Sequence, residues 1–268
     1  MRNFLARTYY NLIILGLFLS NYNRNFYILL RKKALLFNGR KMYTLTIESD
    51  ADLSTFIEIF AKLDYKIAHQ EHLNLLTSTL KTICDNNLTP VFIDCGANIG
   101  MSSVYWHLSY KSLKIICVEP EKSNIVKLKR NTTFIPDLTI YESAISDVVE
   151  SYLLVDDFKG NNAFKIKTGI GANQSITVSK ILDDFNSNDI PAIIKIDIEG
   201  HEYELFQSSE WLERFFLVIV EIHDWMDVQN PKSRNFIRSL TNGNFSIITK
   251  SNIIFAMNLN YSISSVSR

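Results

Sequence analysis

The chain has 268 residues, and 47% of them are hydrophobic, a share typical of globular proteins and large enough for a sizeable core. The length suits one α/β domain with an N-terminal extension, or two small domains. The formal net charge is zero, so an overall positive charge is excluded as a basis for binding nucleic acid, and we expect no nucleic-acid partner. Three cysteines, Cys84, Cys95 and Cys117, show no metal-ligand or CxxC spacing, which favours a reducing, cytoplasmic compartment.

The N-terminal segment has its own charge pattern. Eight of the 28 basic residues precede Glu48, the first acid, leaving 20 basic against 28 acidic residues and a net charge of about −8 for the rest. This asymmetry predicts a basic arm that contacts an anionic membrane surface or a partner protein. The apolar run Leu12–Leu19 is far shorter than the roughly 20 residues that span a bilayer. It fits a core helix, an interfacial helix on anionic lipid or, because Arg2 and Arg7 precede it, a signal peptide.

The first part of the chain is predicted to be mainly helical up to about residue 40. Lys41–Ile47 alternates and is rich in β-branched and aromatic residues, which predicts a strand after the Asn38-Gly39 turn. Leu53–Leu63 and His72–Cys84 have helical spacing. We therefore divide the chain into a basic, mainly helical extension with a short strand, residues 1–64, and a second domain, residues 65–268.

From residue 91 onward, short apolar runs alternate with helical stretches, which predicts βαβ units and a parallel sheet. The predicted strands are Val91–Cys95, Leu113–Val118, Leu138–Tyr141, Ala192–Ile196 and Phe216–Ile222. The later predicted helices are Lys122–Asn131, Glu202–Trp211 and Ser233–Leu240. Short strands at Ser151–Val155 and Ser175–Val178 interrupt this alternation around a polar stretch, Gly160–Asn173. Phe245–Ile248 and Ile253–Met257 are predicted to close the sheet as an antiparallel pair at its edge.

The first βα turn of this region suits a cofactor. Its sequence is Asp94-Cys95-Gly96-Ala97-Asn98-Ile99-Gly100, and the glycines permit a tight turn and close approach of a ligand to the backbone. The spacing is GxxxG and not the GxGxxG that binds the pyrophosphate of a dinucleotide. An acid at the end of the strand, Asp94, suits the sulfonium and ammonium groups of S-adenosylmethionine (SAM) and would repel a pyrophosphate.

A second acid supports the same interpretation. Glu119 ends the second strand, 25 residues after Asp94, where an acid can accept hydrogen bonds from both hydroxyls of a ribose. Pro120 follows, cannot extend the ladder and turns the chain. A strand, glycine loop, helix, strand and acid in this order predict a nucleoside cofactor site, with a structural turn beside a solvated glutamate as the alternative.

Five ordered segments resemble the FkbM family of SAM-dependent methyltransferases. They are VFIDCGANIGMSS (Val91–Ser103), VEPE (Val118–Glu121), ESAISD (Glu142–Asp147), IIKIDIEGHEYELF (Ile193–Phe206) and VIVEIH (Val218–His223). The first is close to the family's DxGANxG, and the fourth, the most specific, to its KxDxEGxE. The resemblance covers about residues 65–258 and says little about residues 1–64.

The resemblance implies an α/β, Rossmann-like class I methyltransferase fold: a mostly parallel seven-stranded sheet in the order 3-2-1-4-5-7-6, with strand 7 antiparallel. It implies SAM as cofactor and methyl transfer to a hydroxyl of a small molecule or glycan. Carried over by residue, it implies that the amino-acid end of the cofactor is held by Asp94, Gly96, Ala97, Asn98 and Gly100. It also implies that Glu119 and Pro120 meet the ribose, and that Ser143, Ala144 and Ile145 border the adenine.

The ends of two later strands carry the candidate catalytic residues. Lys195, Asp197 and Glu199 alternate at period two, and Glu221 and His223 do the same on the next strand. Because neighbouring strands lie about 4.8 Å apart, we expect both ends to converge beside the cofactor's methyl group. Asp197, Glu221 and His223 are candidate bases, and Lys195 either joins the catalytic set or only pairs with an acid. A divalent metal on Asp197 and Glu221, or positioning alone, are the alternatives.

Other candidates are weaker. His69, His72 and His107 lie in helical patterns and are not expected to be ligands, whereas Trp225 could line an acceptor pocket.

The leading hypothesis for the function is an O-methyltransferase. The alternatives are a cofactor-binding module without chemistry, a scaffold in glycan assembly, and a nucleotide- or NAD-binding enzyme on the same fold.

Overall fold

The computed structural model describes residues 25–30, 32–39, 41–156, 164–169 and 171–266. Its strands are β1 (Asn25–Leu29), β2 (Lys33–Asn38), β3 (Lys41–Thr46), β4 (Thr89–Cys95), β5 (Lys114–Val118), β6 (Leu138–Tyr141), β7 (Ile145–Ser146), β8 (Ser151–Asp156), β9 (Phe164–Thr168), β10 (Asn173–Gln174), β11 (Ile176–Thr177), β12 (Asp189–Ile196), β13 (Leu217–Glu221), β14 (Phe245–Lys250) and β15 (Ile253–Asn258). Its α-helices are α1 (Asp50–Phe56, continued by a π-helical turn at Ile57–Ala61), α2 (Gln70–Asp85), α3 (Met101–Ser109), α4 (Lys122–Asn131), α5 (Val178–Asp183), α6 (Glu202–Leu205), α7 (Arg234–Asn242) and α8 (Ile263–Val266). Turns of 3₁₀-helix cover Glu210–Arg214 and Asp224–Met226.

Several predictions for the N-terminal arm concern residues outside these described ranges. The apolar run Leu12–Leu19 and five of the basic residues lie outside the described ranges; these five are Arg2, Arg7, Arg24, Arg31 and Arg40. Within the described ranges, no helix combines the length and the apolar character needed to cross a membrane.

Seven strands form the central sheet in the order β14-β15-β13-β12-β4-β5-β6. The strands β4, β5, β6, β12 and β13 are parallel, and β15 runs antiparallel to both β13 and β14. Numbered along the chain from β4, the strands of this sheet follow the order 3-2-1-4-5-7-6. The predicted Rossmann-like α/β fold with one antiparallel strand is therefore confirmed.

The apolar sequence of β12 places it at the centre of the sheet. All eight residues of Asp189–Ile196 are buried, as expected for a parallel strand covered on both faces. Successive side chains alternate between the two faces, so Ile193 joins one hydrophobic cluster and Ile194 the other. Pro191, which cannot donate a ladder hydrogen bond, lies where the register against β4 shifts.

The connections of the sheet determine where a ligand can bind. The chain moves outward in one direction from β4 through β5 to β6, and in the other direction from β12 through β13. In open α/β sheets a crevice forms at such a reversal, outside the carboxyl ends of the strands. The ends of β4 and β12 therefore flank the expected site.

The predicted helical segment before residue 40 is wrong in its described part, because the strands β1, β2 and β3 form an antiparallel sheet in that order. Apolar runs as short as those of β1 and β2 do not distinguish a strand from a buried helix by periodicity. The predicted strand Lys41–Ile47 is confirmed as β3. The N-terminal extension is thus not mainly helical over these residues.

This small sheet packs onto the larger unit. Leu45 belongs to the same buried hydrophobic cluster as Phe92 and Trp106. Asp52, at the start of α1, is buried and forms an ion pair with Lys127 Nζ of α4 at 2.8 Å. The division after residue 64 stays a prediction, and the shared core shows that the described parts on either side of it pack together.

Two further predictions need adjustment. The polar stretch Gly160–Asn173 contains β9, which pairs with β8, while residues 157–163 and 170 lie outside the described ranges. The predicted helix Glu202–Trp211 is only the short α6 followed by a 3₁₀ turn. Glu202, the first residue of this short helix, is buried.

Candidate active site

A cavity of about 560 Å³, counting space open to solvent, lies at the carboxyl ends of β4, β5 and β12. It is lined by Gly96, Asn98, Val118, Glu119, Pro120, Asn124, Ser143, Ala144, Ile145, Asp197, Ile198 and Glu199. Seven of the ten predicted cofactor residues line it, together with one predicted catalytic residue, so one space joins the two predicted sites. The predictions missed Val118, Asn124 and Ile198 as lining residues; Glu199 was expected near the cofactor's methyl group, at the end of the strand that carries Asp197, but was not assigned a role.

Glycine is required at the turn after β4. Gly96 has φ +75°, and a Cβ atom there would lie 1.8 Å from the carbonyl oxygen of Asp197. The Gly96 N–H donates to the carbonyl of Val118 at 2.9 Å, which fastens the turn to β5. Gly100, with φ +85°, is the N-cap residue of α3, and a Cβ atom there would lie 3.1 Å from the Thr132 side chain. The loop thus lies against β5 and the turn after β12 at once.

Glu119 is the buried carboxylate of the cavity. One oxygen accepts the Asn98 N–H at 2.8 Å; the other accepts the Glu121 N–H at 3.0 Å and the Asn124 amide at 3.3 Å. Burial raises the pKa of Glu119 to about 7, although these three donors counteract the rise. Donors from the glycine loop and from the start of α4 thus hold the Glu119 carboxylate in place at the wall of the cavity.

Asn98 offers a free acceptor in the same loop. It has φ +51°, a left-handed conformation that asparagine tolerates better than most residues. Its Oδ1 atom is buried, and no described residue donates to it. A buried acceptor without a donor is unfavourable unless a bound molecule supplies one, so Asn98 fits a site for an ammonium or hydroxyl donor.

Asp94 lies behind the loop and does not line the cavity. It is fully buried, accepts hydrogen bonds from Ser102 and Ser103, and pairs with Lys195 Nζ at 3.1 Å. Ala97 and Gly100 also shape the loop without lining the cavity. Direct contact between Asp94 and a bound cation stays a prediction, whereas its role in fixing α3 and Lys195 is visible.

The predicted adenine border is positioned by the segment that interrupts the βα alternation. The Ser143 hydroxyl donates to the carbonyl of Gln174 at 2.7 Å, and the Ala144 N–H donates to the Tyr152 hydroxyl at 3.2 Å. Ile145 lies in β7 and pairs with β11. Tyr152, on β8, was not predicted as part of the site, since its alternating strand pattern gives no indication of a partner.

Lys195 joins the two sides of the site. It is buried, donates to the Gly96 carbonyl at 2.8 Å, and lies 3.1 Å from Asp94 and 3.2 Å from Asp197. Burial alone would lower the pKa of its ammonium, but the two carboxylates outweigh burial and raise the pKa well above its usual value. Lys195 is therefore a fixed cation that orients Asp197 and the loop.

His223 lies at the centre of the other side. Its Nδ1 atom is 2.7 Å from Oε1 of the buried Glu202, and its Nε2 atom is 3.5 Å from Glu199 and 3.8 Å from Asp197. Burial would lower the pKa of the imidazole, but the hydrogen bond that its Nδ1–H donates to Glu202 and the surrounding carboxylates raise it to about 9. Glu202 was not predicted as a site residue.

Glu221 completes the group. Its Oε1 accepts a hydrogen bond from the Asn252 amide at 2.8 Å. The charge of Asp197 and then burial raise the pKa of Glu221 to about 8, and burial together with Asp197 raises that of Glu199 to about 7. One ligand atom from each of Asp197, Glu221 and His223 lies within 4.8 Å of the others. The predicted catalytic residues, two acids and two basic residues, are thus brought together, and Glu199 and Glu202 add two more carboxyl groups beside His223.

Comparison with known proteins agrees with this arrangement. The profile of the methyltransferase FkbM domain matches residues 94–247, more than half of the chain. No curated protein matches significantly.

Similar solved structures include a Staphylococcus aureus protein provisionally named a caffeoyl-CoA O-methyltransferase, with 12% identity, 79% of this chain and 93% of that chain covered, and a TM-score of 0.42. A provisionally named O-methyltransferase from Klebsiella pneumoniae has 11% identity and a TM-score of 0.42, with 77% of this chain and 89% of that chain covered. Aeropyrum pernix fibrillarin in complex with SAM has 9% identity and a TM-score of 0.39, with 63% of this chain and 67% of that chain covered. These likenesses are too distant to bear on function, whereas the profile match spans the glycine loop, Glu119 and the cluster around His223. By that match, this chain belongs to the FkbM family of methyltransferases.

Proposed function

We propose that this protein is a SAM-dependent O-methyltransferase acting on a hydroxyl group of a small molecule or a glycan. When bound, SAM supplies an electrophilic methyl group on a good leaving group. In this proposal the cofactor occupies the cavity beside the glycine loop. Glu119 accepts hydrogen bonds from its ribose, and Asn98 Oδ1 accepts one from its ammonium group.

The charge of the cavity supports SAM over a dinucleotide. Of the described residues that line it, three are acids and none is basic. Carboxylates at Glu119, Asp197 and Glu199 attract a sulfonium or an ammonium group and repel a pyrophosphate. The missing GxGxxG pattern supports the same choice.

The cluster beyond the cavity supports catalysis over a passive binding module. A hydroxyl acceptor benefits from a group that receives its proton or lowers its pKa during transfer. Asp197 lines the cavity and faces both Lys195 and His223, so it would meet the acceptor hydroxyl next to the methyl group. The observation that carries the proposal is this continuity: Asn98, Glu119 and Asp197 line one cavity.

Labelled methyl transfer tests the proposal. The protein is incubated with methyl-labelled SAM and a panel of sugars, glycans and lipids, and products are identified by mass spectrometry. We expect one acceptor to gain a label on oxygen. Asp197→Asn should slow this transfer at least about 100-fold, as removal of a general base does. The Kd for SAM should rise far less, by about threefold at most, because only one of the three attracting carboxylates is lost and Glu119 and Asn98 keep their contacts with the cofactor.

A matched change on the surface is the control. Asp183→Asn replaces an exposed carboxylate of α5 and should leave both quantities unchanged. Absence of SAM binding by calorimetry would refute the cofactor assignment. Label on nitrogen or carbon would refute O-methylation, and wild-type turnover in Asp197→Asn would remove that residue from the chemistry.

A further inference from the structure

We propose that Asp197, Glu221 and His223 bind a first-row transition-metal dication, with Mn²⁺ as the probe. The site lies beside the cofactor cavity, at the ends of the paired strands β12 and β13. The existence of the ion does not depend on the proposed function, whereas the role suggested for it does.

The spacing of the three side chains fits one ion. One ligand atom from each lies within 4.8 Å of the other two. Ligand atoms bound at about 2.1 Å to a shared ion are roughly 3–4 Å apart, so the group must contract by about 1 Å. The backbones of β12 and β13 are paired up to Ile196 and Val220, directly before Asp197 and Glu221, so most of this contraction would have to come from side-chain rotation.

Each of the three ligands is also held by one outer partner. Lys195 holds Asp197 Oδ2, which leaves Oδ1 toward His223 Nε2. Asn252 holds Glu221 Oε1, and Glu202 holds His223 Nδ1. Metal-binding histidines usually make such a bond through the second ring nitrogen, which fixes the tautomer and aims the first nitrogen at the ion.

The surroundings of His223 argue against a purely structural ion pair. The side chain is 3% exposed, and its Nε2 atom points at two carboxylate oxygens at 3.5 and 3.8 Å, distances longer than a good hydrogen bond. The 3.8 Å between His223 Nε2 and Asp197 Oδ1 suits two ligands that share a cation between them. Oε2 of Glu202 is buried without a hydrogen-bond partner among the described residues, so the cluster is not fully satisfied as it stands.

The donor set selects the class of ion. Mg²⁺ and Ca²⁺ prefer ligand sets made only of oxygen, whereas an imidazole nitrogen with two carboxylates suits Mn²⁺, Fe²⁺ or Zn²⁺. Within the proposed function, an ion at this site would hold the acceptor oxygen next to the methyl group and lower the pKa of its hydroxyl.

Mn²⁺ binding to the full chain, measured without SAM by calorimetry and by electron paramagnetic resonance, tests the site. We expect one Mn²⁺ per chain, Mg²⁺ binding at least about tenfold weaker, and a nitrogen coupling from one imidazole in the pulsed spectrum. His223→Asn keeps a nitrogen at the Nδ1 position for Glu202 but removes Nε2. It should abolish the nitrogen coupling and weaken binding at least about 100-fold, while Glu202→Gln weakens it about 10–100-fold.

Glu210→Gln, an exposed carboxylate after α6, is the control and should bind Mn²⁺ like the wild type. The proposal is overturned if no Mn²⁺ binds at concentrations up to about 1 mM, if the bound ion shows no nitrogen coupling, or if folded His223→Asn binds as well as the wild type. The nitrogen coupling of bound Mn²⁺ is measured on the wild-type protein, so it tests the proposal even if a variant does not fold. Methyl transfer that persists in chelator alongside absent Mn²⁺ binding would refute the ion and leave the proposed function intact.

Discussion

The two sides of the cavity satisfy their polar groups in different ways. On the β4–β5 side, the single carboxylate of Glu119 receives three hydrogen bonds from the chain itself. On the β12–β13 side, Asp197, Glu199, Glu202 and Glu221 surround one imidazole. A carboxylate that already accepts hydrogen bonds from the chain keeps its position before a ligand binds. A group of carboxylates that outnumbers its cationic neighbours is stabilised when a further cation binds. In the proposed function, the first side recognises the cofactor and the second performs the chemistry.

The largest expected effect concerns Gly96, where the two sides meet. In Gly96→Ala, the new methyl group would overlap the Asp197 carbonyl, 1.8 Å away, and alanine would have to adopt φ +75°. Backbone displacement and strain together should lower the free energy of unfolding by about 3–5 kcal/mol, measured by urea denaturation. Gly39→Ala is the control, because φ is +61° there but no atom lies within 4 Å, so about 1–2 kcal/mol is expected. Equal losses would mean that the two sides do not touch at Gly96.

A second effect follows from the raised pKa of Glu119, about 7 in the folded chain against 4.5 ordinarily. A raised carboxyl pKa means that folding favours the protonated form. The stabilisation is therefore fully present below about pH 4.5 and is lost as pH rises through about 7. Between pH 5 and 8, without cofactor, the wild type should lose up to about 3 kcal/mol of unfolding free energy relative to Glu119→Gln. If the unfolding free energies of the two proteins changed with pH in parallel, burial would not raise the pKa of Glu119.

A smaller effect is expected on cofactor affinity. In Glu119→Gln one amide hydrogen must face a backbone N–H that the carboxylate now accepts, and the ribose loses a charged acceptor. The Kd for SAM should rise about 10–100-fold by calorimetry, equivalent to about 1–3 kcal/mol. Glu121→Gln, which changes only the cap of α4, should stay near the wild-type value. A similar weakening in both variants would mean that Glu119 has no specific role.

The two sides were predictable to different degrees. The glycine loop and Glu119 are local signals, because a strand, a turn and a helix follow one another in sequence. The partner of His223 could not be predicted, since Glu202 sits 21 residues earlier in a helical pattern whose short length only the fold reveals. The ion pair between Asp94 and Lys195 behind the loop could not be predicted either, because the two residues come from different strands that are far apart in the sequence. The sheet β1-β2-β3 was missed because its short apolar runs fit either periodicity.

The smallest effect concerns the outer edge of the catalytic side. Trp225 is 68% exposed, and its ring centroid lies 6.3 Å from that of His223. An exposed tryptophan contributes little to folding, so Trp225→Ala should change the unfolding free energy by no more than about 0.5 kcal/mol. Because a large flat ring next to the cluster offers apolar contact to an acceptor, KM for the acceptor should rise several-fold, with kcat and the Kd for SAM unchanged. Val228→Ser, at the more exposed end of the same loop, is the control and should leave KM unchanged. If Trp225→Ala lowered kcat instead, the residue would belong to the chemistry of the cluster and not to acceptor binding, and the catalytic side would extend to the surface.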